Sequence, residues 1–200
     1  GDPTAKMLGR VTLNPLAHID PFGTILLPAI LILMRSPFLF GYAKPVPVNF
    51  RLLRDLKRDP VYVASAGVVT NLALAAASGL LFRFIGLLDP EVIPKIGGLG
   101  LHETAEGTLQ MALLPLALMC VASVKWNVLL AIFNLIPIPP LDGGRIAVGL
   151  LPHGPSQALA SVERYGMLLL IALFMFDPFG IIWRVINPVI HLLTLLFLGG

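Results

Sequence analysis

The stretch VYVASAGVVTNLALAAASGLLF, residues 61–82, decides the fold class of this protein, because it runs for 22 residues without a charged side chain. A helix needs about 20 mostly apolar residues to cross a bilayer. Further uncharged runs cover residues 107–124, 126–141 and 185–200. The sequence therefore predicts an all-α polytopic membrane protein, a bundle of transmembrane helices.

The composition supports this class and argues against others. Hydrophobic residues make up 56% of the 200-residue chain and charged residues only 12%, against about 25% charged residues in soluble domains. Cys120 is the only cysteine, which excludes an intramolecular disulfide and a metal site of several cysteines. The net charge is only +3, and the basic residues do not lie on an aromatic-rich polar surface. We therefore expect no nucleic-acid partner.

A basic loop predicts how the helices are oriented. Residues 43–60 carry five lysines and arginines against two aspartates, and such loops face the cytoplasm. From this loop, residues 61–88 would run outward and residues 109–136 inward, until prolines end the helix. Residues 158–176 would then run outward and residues 181–198 inward.

Two short patterns precede the basic loop. Residues 9–13, Gly-Arg-Val-Thr-Leu, predict a short strand. Residues 21–42 are apolar but interrupted by three prolines, two glycines and Arg35. A helix over residues 24–34 would rise only about 17 Å, short of the roughly 30 Å hydrocarbon core. We therefore predict a re-entrant segment that enters the membrane and returns to the same side.

We expect one membrane-embedded domain over residues 1–200, since no internal repeat or low-complexity tract divides the chain. The strand, the re-entrant segment and the basic loop would occupy residues 1–60. The core helices would occupy residues 61–150, and the C-terminal helices residues 151–200.

The stretch FNLIPIPPLDGGR, residues 133–145, places Asn134 and Asp142 eight residues apart at the end of a membrane helix. The prolines between them forbid a regular helix. A charge at membrane depth is costly and usually functional. Asp-Gly-Gly is also a common turn sequence, so the residues alone leave a functional and a turn role open.

This stretch resembles the third-ligand motif of the site-2 protease family of membrane zinc metalloproteases, in their short bacterial form, in which the aspartate of Leu-Asp-Gly binds zinc. Three further stretches are similar to that family and follow in the same order. GDPTAKMLGRVTLNPLAHIDPFGTILLP, residues 1–28, resembles the segment after its HExxH helix. GYAKPVPVNFRLLRDLKRDP, residues 41–60, resembles its Lys-Pro-Val-Pro loop, and GVVTNLALA, residues 67–75, its Gly-Pro-x-x-Asn helix. The resemblance covers about residues 1–150.

The resemblance implies an intramembrane zinc metalloendopeptidase that cleaves transmembrane proteins with a metal-activated water. It implies that Asp142 is a metal ligand and that Asn134 faces the zinc cavity and binds the substrate carbonyl or oxyanion. Judged as a residue alone, Asn134 is also compatible with cross-linking membrane helices. The implied partners are a transmembrane protein substrate and the lipid bilayer, and the implied location is the bacterial plasma membrane, as a multi-pass protein.

The chain departs from the family pattern in one important respect. HExxH, which supplies two zinc ligands and a general base, is absent, and His102-Glu103 lacks a histidine at position 106. The family places HExxH just before the segment that begins at Gly1. We therefore expect an N-terminally truncated chain that is inactive alone, with two further Zn²⁺ ligands upstream. The alternative is a non-catalytic membrane scaffold or binding protein of the same fold.

Other polar residues have less defined roles. Lys125 marks either a helix interruption or a wet cavity, and the sequence does not decide between them. His18 and His191 favour structural hydrogen bonds, and Asn71 favours contacts between helices. Asn127 lies two turns before Asn134 and therefore on the same helix face.

Overall fold

The computed structural model describes residues 2–12, 14–35, 41–44, 46, 49, 52, 54–55, 57–97, 108–175 and 180–199. Within these ranges all regular secondary structure is helical, in agreement with the predicted all-α class. The chain forms two compact units, residues 1–59 and residues 60–200.

The helices of the first unit are α1 (Thr4–Met7), a 3₁₀ turn (Pro15–His18), a π-helical turn (Pro21–Leu26) and α2 (Leu27–Leu33). Helix α3 (Asp59–Leu88) begins the second unit. It is followed by α4 (Val92–Gly97), α5 (Thr108–Asn134), α6 (Asp142–Leu150), α7 (His153–Val162), a 3₁₀ turn (Glu163–Tyr165), α8 (Gly166–Met175) and α9 (Ile181–Leu198).

The predicted strand over residues 9–13 is wrong, because residues 9–12, which the structure describes, form a turn and irregular backbone. Gly9 is left-handed, with φ 65°, and the Arg10 amide donates to the Ala5 carbonyl over 2.8 Å. A left-handed glycine after a helix is a common helix end. Gly9 therefore closes α1 and turns the chain away from an extended path.

The apolar segment of the first unit begins and ends at one place. The Tyr42 amide donates to the Gly23 carbonyl over 3.0 Å, and the Lys44 amide donates to the His18 carbonyl over 2.9 Å. The segment between these contacts therefore forms a closed loop. Its membrane placement, the re-entrant prediction, stays a prediction, and residues 36–40 of it lie outside the described residues.

A buried arginine reinforces this closure. Arg10 is only 8% exposed, and its guanidinium donates to the carbonyl oxygens of Ala17 and Lys44. Hydrogen bonds from a charged donor are stronger than neutral ones, so Arg10 fastens residue 44 to the start of the apolar segment.

Helices α3 and α5 form the framework of the second unit. Each is long and apolar enough to cross a membrane, and their bounds agree with the predicted runs 61–88 and 109–136 to within two residues. Ala75 of α3 packs with Val124 and Val128 of α5 in a fully buried cluster. The hydroxyls of Ser78 and Ser123 add a hydrogen bond of 2.8 Å between the two helices.

Helix α9 lies against α3 with its C-terminal end at the late part of α3. A Cβ atom on Gly79 would lie 2.4 Å from the Phe197 carbonyl oxygen, and the Arg83 guanidinium donates to the Leu196 carbonyl. Ile190 packs at the cluster around Ala75, whereas Leu198 also packs at the cluster around Phe82. Helix α9 therefore runs parallel to α3, and the predicted opposite directions of residues 61–88 and 181–198 are wrong. Helix α8 follows the 3₁₀ turn directly, and residues 176–179 between α8 and α9 lie outside the described residues.

Candidate functional site

The end of α5 and the start of α6 carry the two residues that the sequence singles out. Asn134 is the last residue of α5 and Asp142 the first of α6. The proline-rich residues 135–141 between them form a short irregular segment, as the prolines predict. We refer to residues 134–144 as the α5–α6 junction.

Glycines allow three backbones to meet at this junction. A Cβ atom on Gly143 would lie 2.2 Å from the Leu135 carbonyl oxygen, and one on Gly144 would lie 2.2 Å from the Pro139 nitrogen. A Cβ atom on Gly166, the first residue of α8, would lie 2.1 Å from the Pro139 carbonyl oxygen. Backbone atoms cannot move aside as a flexible side chain can. The close contacts at these glycines therefore determine the position of the neighbouring Asp142.

The carboxylate of Asp142 is half-buried and lies against α3. A Cβ atom on Gly67 would lie 3.1 Å from its Oδ2 atom. Burial raises the pKa of this carboxyl, and the Arg145 charge opposes that shift. Among the described residues no hydrogen bond donor engages its oxygens. A half-buried carboxylate without a donor is suited to accept a cation or a proton.

An ion pair supports the first turn of α6 on the other side. The Arg145 guanidinium lies 3.2 Å from Glu163 Oε1, in the 3₁₀ turn that precedes α8. Together with Gly166, this pair connects α6 to the start of α8. The Arg145 side chain is therefore tied to Glu163, although it remains partly exposed.

The two asparagines of α5 have different environments. The Asn127 amide donates to the Ser123 carbonyl over 2.8 Å and lies 3.2 Å from the Ser123 hydroxyl, which itself bonds to Ser78 of α3. Asn134 is half-buried, and no hydrogen bond of its amide occurs in the described part of the chain. Asn127 thus joins a polar contact between helices, whereas the Asn134 amide is available to a ligand.

Three other polar residues complete the comparison with the sequence. The His18 ring lies 3.0 Å from the Thr12 carbonyl, which confirms its structural hydrogen bond. The His191 ring is exposed and has no hydrogen bond within the described ranges, so the same prediction for it is wrong. Asn71 lies one turn beyond Gly67 on α3, and no bond from its side chain to another helix is found among the residues described.

The residues around Asp142 fit one part of a zinc site. A carboxylate oxygen is an ordinary zinc ligand, and a catalytic zinc site has three protein ligands. In the described part of the chain, no three histidine, cysteine, aspartate or glutamate side chains come close enough to hold a metal. His102 and Glu103 lie outside the described residues. Asp142 is the one residue of the α5–α6 junction with a side chain of the ligand type, and its role as a ligand stays a prediction.

Sequence reasoning missed two neighbours of the candidate ligand. The approach of Gly67 to Asp142 joins residues 75 positions apart, and no local pattern reports such a contact. The Glu163 partner of Arg145 is also distant in sequence. The one sequence feature that draws attention to Gly67 is its place in the GVVTN stretch, which resembles the Gly-Pro-x-x-Asn helix of the family.

The chain is similar to one curated protein, named "Putative zinc metalloprotease YwhC", from Bacillus subtilis (strain 168). The two are 38% identical over 189 residues, which cover 94% of this chain and 75% of the relative. No family model matches the chain, and no solved structure matches it.

Proposed function

This chain belongs to the zinc metalloprotease family that includes YwhC, and we propose that it is the membrane-embedded part of a site-2-protease-type zinc metallopeptidase that cleaves transmembrane proteins. One observation carries the proposal. The Asp142 carboxylate is positioned by backbone contacts at the α5–α6 junction and lies against Gly67 of α3, with no donor among the described residues on its oxygens.

The exposure of the long helices supports a membrane location. In both α3 and α5, only 28% of the most apolar 18-residue window is buried within the chain. A soluble protein rarely exposes such large apolar surfaces, whereas lipid covers them without cost. We therefore place α3 and α5 across the bilayer as part of a multi-pass protein of the bacterial plasma membrane.

The residues of the junction would have separate tasks in peptide hydrolysis. When bound, zinc supplies an activated water and polarises the scissile carbonyl. The Asp142 carboxylate would hold the metal at the start of α6. The Asn134 amide would donate a hydrogen bond to the substrate carbonyl oxygen, where negative charge develops. The glycines of the junction keep the two groups at a constant separation.

The remaining zinc ligands belong to the same proposal. We place them on an HExxH helix that precedes the GDPTA segment, because the described residues supply only Asp142. The closed loop between His18 and Tyr42 would then dip into the membrane beside that helix as a re-entrant segment. Its tied ends suit a segment that enters and leaves on one side.

The test is the substitution Asp142→Asn in a protein expressed with its upstream coding sequence. We expect stoichiometric zinc in the wild type and loss of both zinc and cleavage of a transmembrane substrate in the variant, because the amide is a poorer zinc ligand. Zinc is measured by mass spectrometry of the purified protein. Asp55→Asn, an exposed carboxylate of the first unit, is the control and should retain both.

Two outcomes would contradict the proposal. Zinc that stays bound in Asp142→Asn would remove Asp142 from the metal site. A wild-type protein that binds no zinc, although its upstream sequence is present, would favour the non-catalytic membrane scaffold of the same fold.

A further inference from the structure

A cleft of about 1020 Å³ opens between α5 and α9 in the second unit. Most of its wall is apolar and comes from the outer face of α5. Its polar side chains are Lys125 of α5 and four residues of α9: Arg184, Asn187, His191 and Thr194. We refer to it as the α5–α9 cleft. Helix α5 continues without a break past Lys125, so this residue does not mark a helix interruption.

The four polar residues of α9 form one stripe. They follow one another at intervals of three, four and three residues, a spacing that keeps side chains on one face of a helix. The rest of α9 is almost entirely apolar. All four of these side chains line the cleft, so the polar face of α9 is the face turned towards it.

The cleft has positive charge without a matching negative charge. Lys125 and Arg184 are both exposed, and within the described part of the chain neither forms an ion pair. Among the described residues that line the cleft there is no aspartate or glutamate. Cations beside apolar helices in a membrane are costly unless an anion is near, so an anionic group is the expected occupant.

A buried hydroxyl points to the same conclusion independently. Thr194 is only 9% exposed, and its Oγ1 atom has no hydrogen-bond partner among the described residues. Buried polar atoms almost always have a partner. A ligand in the cleft would supply one.

We propose that the α5–α9 cleft binds an anionic phospholipid, whose phosphate lies at Lys125 and Arg184 and whose acyl chain follows the apolar wall of α5. Basic pockets between membrane helices on the cytoplasmic side bind lipid head groups. Arg184 is in the first turn of α9, towards the end of α5 that we place in the cytoplasm. Trp126 is exposed beside Lys125 and forms part of the cleft wall.

This inference rests on the membrane location proposed above and not on the peptidase chemistry. Asp142→Asn should therefore leave lipid binding unchanged while it abolishes zinc binding. If carbonate extraction released the protein from membranes, the membrane location would be wrong whatever the state of the zinc site. The membrane location and the zinc site would therefore be contradicted by different measurements.

Trp126 provides a direct reporter for the lipid. The chain has two tryptophans, and Trp183→Phe leaves Trp126 as the only one. The protein is reconstituted in phosphatidylcholine vesicles, and its fluorescence is titrated with brominated phosphatidylglycerol or brominated phosphatidylcholine. We expect half-maximal quenching at a mole fraction at least about tenfold lower for the anionic lipid, because two cations contact its phosphate. Equal quenching by the two lipids would overturn the proposal and favour a helix with an acidic side chain as the occupant.

Variants separate charge from folding. In the double variant Lys125→Gln, Arg184→Gln, both lipids should quench the Trp126 fluorescence equally. The charge-conserving double variant Lys125→Arg, Arg184→Lys should retain the preference for the anionic lipid. Arg164→Gln removes an exposed cation outside the cleft and should leave the preference unchanged. A preference that survives in the neutral double variant, or is lost in the charge-conserving double variant, would contradict recognition by these two charges.

Discussion

The α5–α6 junction and the α5–α9 cleft both use helix α5, but they are constructed in opposite ways. At the junction, glycine backbones press against other backbones within 2.2 Å of a missing Cβ atom. In the cleft, long charged side chains stand over open space. The junction holds the backbone of Asp142 in one position and leaves no room for an added atom. The cleft presents positive charge and leaves room for ligands of different shape. Chemistry on a substrate requires the first arrangement, and recognition of a fluid lipid requires only the second.

The substitution Gly144→Ala should have the largest effect, because its methyl group would overlap the backbone of Pro139. Overpacking costs typically 1–3 kcal/mol, and we expect about 3 kcal/mol or more here since no side chain can move aside. Thermal unfolding in detergent measures this loss. Gly154→Ala is the control: its Cβ atom would meet nothing within 4 Å, and the variant should be as stable as the wild type or more so. Equal stability of the two variants would contradict the tight backbone packing of the junction.

The substitution Asn134→Ala should sharpen the chemical side of the comparison. We expect zinc to stay bound and the cleavage rate to fall by about 10²-fold, as when an oxyanion donor is removed. The measurement is the rate of cleavage at saturating substrate, together with zinc content. Asn127→Ala is the matched control, since the Asn127 amide already bonds to Ser123. This substitution should lower the stability of the protein more than its cleavage rate. Near-normal turnover in Asn134→Ala would leave Asn134 with a packing role only.

The substitution Gly67→Ala should have a smaller and divided effect. Alanine in place of glycine favours a helix by up to about 1 kcal/mol, so α3 should not lose stability. The new methyl group would stand 3.1 Å from the Asp142 carboxylate and displace it by a few tenths of an ångström. We expect zinc affinity to fall by about tenfold, the low end for changes beside a metal ligand. Competition with a chelator measures it, and an unchanged affinity would show that the carboxylate does not depend on this contact.

The substitution Glu163→Gln should have the smallest effect. Its ion pair with Arg145 is partly exposed on both sides, and such pairs contribute about 0.2–1 kcal/mol. We expect unfolding to shift within that range and zinc affinity to stay the same. A loss of zinc affinity as large as that in Gly67→Ala would mean that Arg145 positions the carboxylate more than the glycines do.

The sequence predicted the long helices well and the short N-terminal elements poorly. Helices α3 and α5 follow from long apolar runs that contain few charged residues, Arg83 in α3 and Lys125 in α5. The strand over residues 9–13 failed because a single glycine, Gly9, closes α1, and strand propensity says nothing about that closure. The direction of α9 failed because an apolar pattern shows that a segment can cross a membrane and does not show in which direction it runs.

The candidate site was predicted in part, and for reasons that differ between its residues. Asn134 and Asp142 were assigned by family resemblance, since their residue types alone left a turn and a packing role open. Gly67 reaches Asp142 only through the packing of α3 against the junction, which a single sequence does not encode locally. The stripe on α9 had a readable helical spacing, but His191 was judged alone and not with its neighbours at 184, 187 and 194.

In the closed loop of the first unit, the ends are bonded together, so the position of the ends does not depend on the length of the segment between them. Because Gly23 and His18 are bonded to Tyr42 and Lys44, residues can be added or removed between the ties without moving what lies on either side. Doubling a loop costs only about 0.6 kcal/mol in closure entropy. Insertions and deletions among relatives should therefore concentrate between residues 25 and 40.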